Sequence, residues 1–340
     1  MLLCAPAALL GAAAAAQRGN FQDARSIFMQ AQRALAEGNY QSAEKGFLTV
    51  LRNDPSSVAA STNLGVVYLR TGRFDSAIRS FERAKRLAPQ IPGIDLNLAL
   101  AHYRKRDYKQ AIPHFERVLA AEPGNIQARY LIGMCHFMMD EYGPAVEALE
   151  RLLPQDTDDL DLLLVLGICY GKLKQVEDSN RAFTQLVRAG GNSPHMHLLL
   201  GKAYLDLYEN HKARAELERA EAGDAKLPYV HFNLGVLYQR LGMLDKAGAE
   251  FDKEITVTPG EPWSYESRGT IWLDQGDPAH AIPLFRKALS LNPKMPLSLA
   301  ALGKAYLRRS KPDEAIAYLR RAVAMQPDSA NLHYQLGQPT

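Results

Sequence analysis

Cysteine is scarce in this chain of 340 residues: only Cys4, Cys135 and Cys169 occur, and no two of them form a C-x-x-C pair. Metal and redox motifs built on that pair are therefore excluded. A dominant charge is also missing, because 40 basic residues are interspersed with 37 acidic ones to a formal net charge of +3, which leaves no electrostatic footprint for nucleic acid. No run of about 18 strongly apolar residues is present, so no membrane span is expected. The phosphate-binding patterns G-x-x-x-x-G-K-[ST] and G-x-G-x-x-G are absent, and so are H-E-x-x-H and G-x-S-x-G. The expectation is a chain without catalysis, without a cofactor and without a metal site.

What is present is a repeat. The stretch NLGVVYLRTGRFDSAIRSFERAKRLAP, Asn63 to Pro89, recurs along the chain in steps of 34. Its small residue Gly65 returns as Ala31, Ala99, Gly133, Gly167, Gly201, Gly235, Gly269, Gly303 and Gly337 without an insertion or deletion. A second small residue returns in step with it, from Ala43 and Ala77 through Ser179 to Ala315, followed four residues later by Phe or Leu. Two antiparallel helices that cross closely need this pattern, with a small residue where the backbones approach and large ones beside it. A proline closes most units (Pro55, Pro89, Pro123, Pro259, Pro293, Pro327), whereas Thr157, Gly191 and Ala225 stand there in units four to six. Proline moves the residue before it out of the α region, so it ends the second helix.

These residues resemble the tetratricopeptide repeat, with Leu64-Gly65 and Tyr68 on its first helix, Gly72-Arg73-Phe74 at the turn, and Ala77, Phe81, Ala84 and Pro89 on its second. The resemblance implies an all-α fold, a right-handed α-solenoid of about nine helix-turn-helix repeats. They start near residues 24, 58, 92, 126, 160, 194, 228, 262 and 296, and a truncated tenth helix begins at 330. Such an array grows by adding units that touch only their neighbours, so 17–340 is read as one domain.

Residues 1–16, MLLCAPAALLGAAAAA, lack the repeat and end in Ala14-Ala15-Ala16, which predicts a signal peptide and a periplasmic or secreted protein. The n-region has no Lys or Arg, so an alanine-rich helix capping the first repeat of a cytoplasmic protein stays open. Acidic residues from Asp156 to Asp161 lack the spacing of a calcium loop and read as a helix N-cap. Gly190-Gly191 marks the expected place for a bend. Cys135 and Cys169 hold equivalent places in adjacent repeats, about 10 Å apart, and are read as buried free thiols. His102 and His136 are read as core histidines rather than ligands.

The resemblance also indicates which surface binds. In these arrays the first helix of each repeat lines the concave wall, through its second, fifth, sixth, ninth, twelfth and thirteenth places. Here those places carry an apolar stripe that includes Tyr103, Tyr130 and Phe137. The sixth carries Asn63, Asn97 and Asn233, similar to the asparagine ladder in the repeat region of O-linked N-acetylglucosamine transferase, which holds a peptide backbone. The alternative is that neighbouring helices satisfy these amides. The thirteenth carries Arg70, Arg104, Arg240 and Arg308, placed to hold carboxylates. The full residue set of the chaperone-type carboxylate clamp is absent.

The expected function is a non-catalytic scaffold that binds a peptide or protein segment, acidic ones among them, in the concave groove. Two alternatives stay open: the repeat portion of a larger enzyme such as a glycosyltransferase, and an envelope assembly factor, like other bacterial envelope proteins with these repeats, that works through its convex face or ends.

Overall fold

The computed structural model describes residues 24–153 and 158–337, apart from the side chain of Gln335. The signal-peptide reading of residues 1–16, Cys4 and the loop residues Asp156 and Thr157 lie outside the described residues. Among these, the chain is helical throughout and has no strand.

Helices come in pairs at the expected spacing. Repeat one contains α1 (residues 24–36) and α2 (Tyr40–Asn53), repeat two α3 (Val58–Arg70) and α4 (Phe74–Leu87), and repeat three α5 (Pro92–Arg104) and α6 (Tyr108–Ala121). Repeat four contains α7 (Ile126–Met138) and α8 (Tyr142–Glu150), repeat five α9 (Leu160–Lys172) and α10 (Val176–Gly190), and repeat six α11 (Pro194–Asp206) and α12 (Asn210–Gly223). Then follow α13 (Val230–Arg240) with α14 (Leu244–Val257), α15 (Pro262–Asp274) with α16 (Pro278–Leu291), α17 (Pro296–Arg308) with α18 (Pro312–Met325), and α19 (Ala330–Leu336). Contacts group these residues into two compact units that meet in sequence between residues 157 and 158, with Lys172–Gln175 grouped with the first. Within each unit, second helices pack on the first helix of the next repeat, the stacking of an α-solenoid.

The turn inside each repeat has one construction. Its fifteenth place is left-handed in all nine repeats, as glycine at Gly38, Gly72, Gly242 and Gly276 and as Arg106, Asp140, Lys174, Tyr208 and Ser310 elsewhere, with φ between 55° and 84°. That conformation lets the next N–H reach back five residues, as when Arg73 N donates to Tyr68 O at 2.9 Å and Met243 N to Tyr238 O at 2.9 Å. Helix one of each repeat is thus capped by its own turn. At the other end, the residue before each closing proline is extended, for instance Ala88 at φ −142° and ψ 74°, as the proline ring requires. In the acidic run, Asp159 Oδ1 accepts from Leu162 N at 3.0 Å and starts α9, as expected. Gly190 ends α10 in close approach to the Met196 methyl, which makes it a packing contact.

At the crossing, the small residue of helix one lies under the ring or branched side chain of the second. A Cβ at Gly235 would come 2.6 Å from Phe251, and one at Gly201 2.6 Å from Leu217. The second small residue meets the same backbone from the side, which repeat five makes visible: Ser179 Oγ donates to Gly167 O at 2.8 Å. Cys135 and Cys169 are fully buried free thiols, and burial pushes both up to about 12, so neither is a nucleophile near neutral pH.

Between the apolar layers runs a polar slot, formed by the fourth and twenty-third places of a repeat and edged by a basic residue at the twenty-sixth. Repeat two has Ser61 and Ser80 there with Arg83, beside a cavity of about 250 Å³. Repeat three has Asp95, only 3% exposed, which takes Arg117 Nε at 3.1 Å, lies 3.1 Å from His114 Nδ1 and accepts from Lys85. Repeats six and seven exchange acid and base: His197 Nδ1 lies 2.6 Å from Glu216, and His231 Nδ1 2.8 Å from Glu250. Burial works to raise Asp95, but hydrogen bonds from Lys85, His114 and Arg117 outweigh it and hold the carboxyl below its usual value. A depressed carboxylate stabilises the fold above its unfolded pKa and loses that stabilisation as pH falls through the folded one. The variant Asp95→Asn should therefore lose about 1–3 kcal/mol at neutral pH. Its deficit against wild type should shrink towards acid pH in thermal melts, and a deficit independent of pH would show that the charge of Asp95 is not what stabilises.

Candidate functional site

The candidate binding face is built from the first helices of the repeats, α3, α5 and α7 in the first unit. Their fifth, ninth and twelfth places are half-buried, because each side chain packs partly on the neighbouring repeat and leaves the rest open. Val66 and Leu69 pack against the core around Phe81, and Leu96, Leu100 and Tyr103 against that around Phe115. The Tyr103 ring meets Tyr108 edge-on at 5.6 Å, and Phe137 meets Tyr142 at 6.3 Å, so both anchors are held by the first turn of their own second helix. Tyr130 is half-buried on α7.

The polar places divide by unit. Asn63 and Asn97 are half-buried on α3 and α5 and make no hydrogen bond to a described residue, which leaves their amides available. Arg70 and Arg104 are exposed in the last turns of the same helices and form no ion pair there. In the second unit, Asn233 is buried and its Nδ2 donates to Tyr229 O at 2.6 Å. Arg240 Nη1 donates to Leu205 O at 2.6 Å and its guanidinium lies 4.6 Å over the Tyr208 ring. Arg308 donates in the same way to Leu273 O. There the thirteenth-place arginine closes the last turn of the preceding repeat's first helix.

Three exposed side chains were not singled out from sequence: Tyr229, Trp263 and Leu297 at the second place of successive repeats, 43%, 49% and 69% exposed. Their 34-residue spacing was the available signal. His136 Nδ1 lies 2.7 Å from Glu141 and is tied to its own turn, whereas His102 stacks on His114 with its Nδ1 buried and 3.5 Å from Asp107. The slot partners were also missed; their signal is a spacing of 19 between acid and base, repeated in Asp95/His114, His197/Glu216 and His231/Glu250.

Family models described as tetratricopeptide repeat match residues 28–92, 102–163, 198–262 and 273–338, which agree with the helix pairs. The chain belongs to the tetratricopeptide repeat family. Among solved structures, a tetratricopeptide repeat protein from Parabacteroides merdae is similar over 84% of this chain and 99% of its own, at 19% identity and a TM-score of 0.58. Yeast Tom70 is similar over 93% and 94%, at 11% identity and a TM-score of 0.47. PilW, a type IV pilus biogenesis factor, is similar over 59% and 93%, at 19% identity and a TM-score of 0.46. No curated protein matches in sequence. Tetratricopeptide repeats form scaffolds for protein–protein interaction, and no described helix is long and apolar enough to cross a membrane.

Proposed function

We propose that this protein is a non-catalytic scaffold that binds an extended or helical segment of another protein along the first-helix face of repeats two to four. Asn63 and Asn97 pair with its backbone, since one amide offers an acceptor and two donors and can take a peptide N–H and C=O together. Arg70 and Arg104 receive acidic groups, and Tyr103, Tyr130 and Phe137 supply apolar contact. The observation that carries this reading is the contrast between units: the equivalents Asn233 and Arg240 are hydrogen-bonded to backbone carbonyls of the fold, whereas Asn63, Asn97, Arg70 and Arg104 are not. The leader-like residues 1–16 support a partner in the periplasm or outside the cell.

A pull-down from the native source with the intact chain identifies the partner, and two double variants then test the face. Asn63→Ala/Asn97→Ala should weaken every segment bound, by about 1–3 kcal/mol for each rung that leaves peptide groups unpaired. Arg70→Ala/Arg104→Ala should weaken mainly acidic segments, with a loss that shrinks as salt rises. Wild-type binding by both, with loss on changing an exposed second-helix residue such as Glu116, would move the site to the opposite face.

A further inference from the structure

The slot of repeat seven carries one carboxylate more than that of repeat six. Repeat six has His197, Glu216 and Arg219; repeat seven has His231, Glu250 and Lys253, and adds Glu221 where repeat six has Val187. The imidazole of His231 is fixed in orientation, because Nε2 lies 2.9 Å from the Ala225 carbonyl and donates to it. Nδ1 then faces Glu250 Oε2 at 2.8 Å and Glu221 Oε1 at 3.8 Å. One ligand atom from each of the three side chains lies within 4.8 Å of the others.

We propose that Glu221, His231 and Glu250 form a binding site for a divalent transition-metal ion of the Zn²⁺ class, with water in the fourth position. Zinc bonds to N and O of about 2.0–2.2 Å separate the ligand atoms of a tetrahedron by about 3.4 Å, so the present spacing needs changes of about 0.4 Å to at most about 1.4 Å. The ligand set is one imidazole and two carboxylates; imidazole favours zinc, cobalt or nickel over the all-oxygen preference of magnesium and calcium. A ligating histidine that donates its other N–H to a backbone carbonyl is the usual supporting arrangement. His231 is 4% exposed, while Glu221 at 32% leaves an entry from solvent.

Lys253 bridges the two carboxylates and is the cation an ion would compete with. Its Nζ lies 3.2 Å from Glu221 and 2.9 Å from Glu250, and its half-exposed side chain can swing out when a cation replaces it. Binding exchanges the ammonium, and any proton on Nδ1, for the metal, with the proton released to the medium. The three ligands come from α12, α13 and α14, so the ion joins repeat six to repeat seven within the second unit.

The test is titration of the full chain with Zn²⁺ by calorimetry, and with Co²⁺ by absorption. Wild type should bind one ion per chain at this site, raise its melting temperature with Zn²⁺ but not with Mg²⁺, and give a cobalt spectrum without sulfur-to-metal charge transfer. His231→Gln and Glu221→Gln should each weaken binding by at least ~10-fold. Lys253→Met should tighten it, a gain that misfolding does not produce. Val187→Glu should create a second equivalent in repeat six. No stoichiometric binding by wild type, or binding unchanged in His231→Gln, would overturn the proposal.

Discussion

Gly235→Leu should be among the most damaging single changes in this protein, lowering stability by roughly 1–3 kcal/mol or more. A Cβ alone at that position would come 2.6 Å from the ring of Phe251, which is fully buried and has no room to withdraw. Three further carbons must separate α13 from α14, and both helices also pack on neighbours in the second unit. Gly133→Leu meets the branched end of Leu149 in the same way and should behave alike. Arg79, exposed on α4, is the control: Arg79→Leu should stay within about 0.5 kcal/mol of wild type. Thermal and urea melts separate the two classes, and equal midpoints would mean that the repeat register is wrong.

Glu254→Ala should be comparably severe for a different reason. This carboxylate is fully buried and accepts from Tyr229 N at 2.9 Å, from Phe232 N at 3.1 Å and from the Thr258 hydroxyl at 2.9 Å. It does from α14 what a Ser or Asp normally does from the residue before a helix, satisfying donors of the first turn of α13 that have no partner in the helix itself. Its removal leaves two N–H groups bare in a closed site, about 1–3 kcal/mol for each. Glu254→Gln keeps an acceptor oxygen and should recover part of the loss. Hydrogen exchange localises the effect: the amides at the start of α13 should lose protection before those of α15. Protection unchanged at Tyr229 and Phe232 would mean that the cap is not formed in solution.

Much of this architecture is legible in the residues, because the features that repeat are local. Pro92, Pro262 and Pro296 each begin a helix where the 34-residue step puts one, and Gly72, Gly242 and Gly276 are left-handed where the turn needs it. The start of α13 shows where local reading ends. The step from Pro228 predicts a helix there, but Tyr229 is left-handed at φ 72° and the helix begins at Val230, because Glu254 draws the Tyr229 N–H towards itself from 25 residues away. The candidate site divides in the same way. Periodicity locates Asn63, Asn97, Asn233, Arg70, Arg104 and Arg240 on first helices. It does not tell that Arg240 turns its donor to Leu205 O, a carbonyl 35 residues away that only folding brings near, or that the Asn233 amide turns back to Tyr229 O at the start of its own helix instead of outwards. Glu221, His231 and Glu250 escape a motif search because no two of them are closer than 10 residues.

The central claim is that a partner lies along the first helices of repeats two to four, and photo-crosslinking reads that position directly. A benzophenone side chain is placed at Leu100, at Tyr130 or, as the opposite face, at Glu116, and each chain is irradiated with the partner recovered by pull-down. The account predicts that Leu100 and Tyr130 crosslink to one short segment of the partner, in an order along that segment that follows α5 to α7, and that Glu116 gives none. Crosslinks from Glu116, with none from Leu100 or Tyr130, would contradict it.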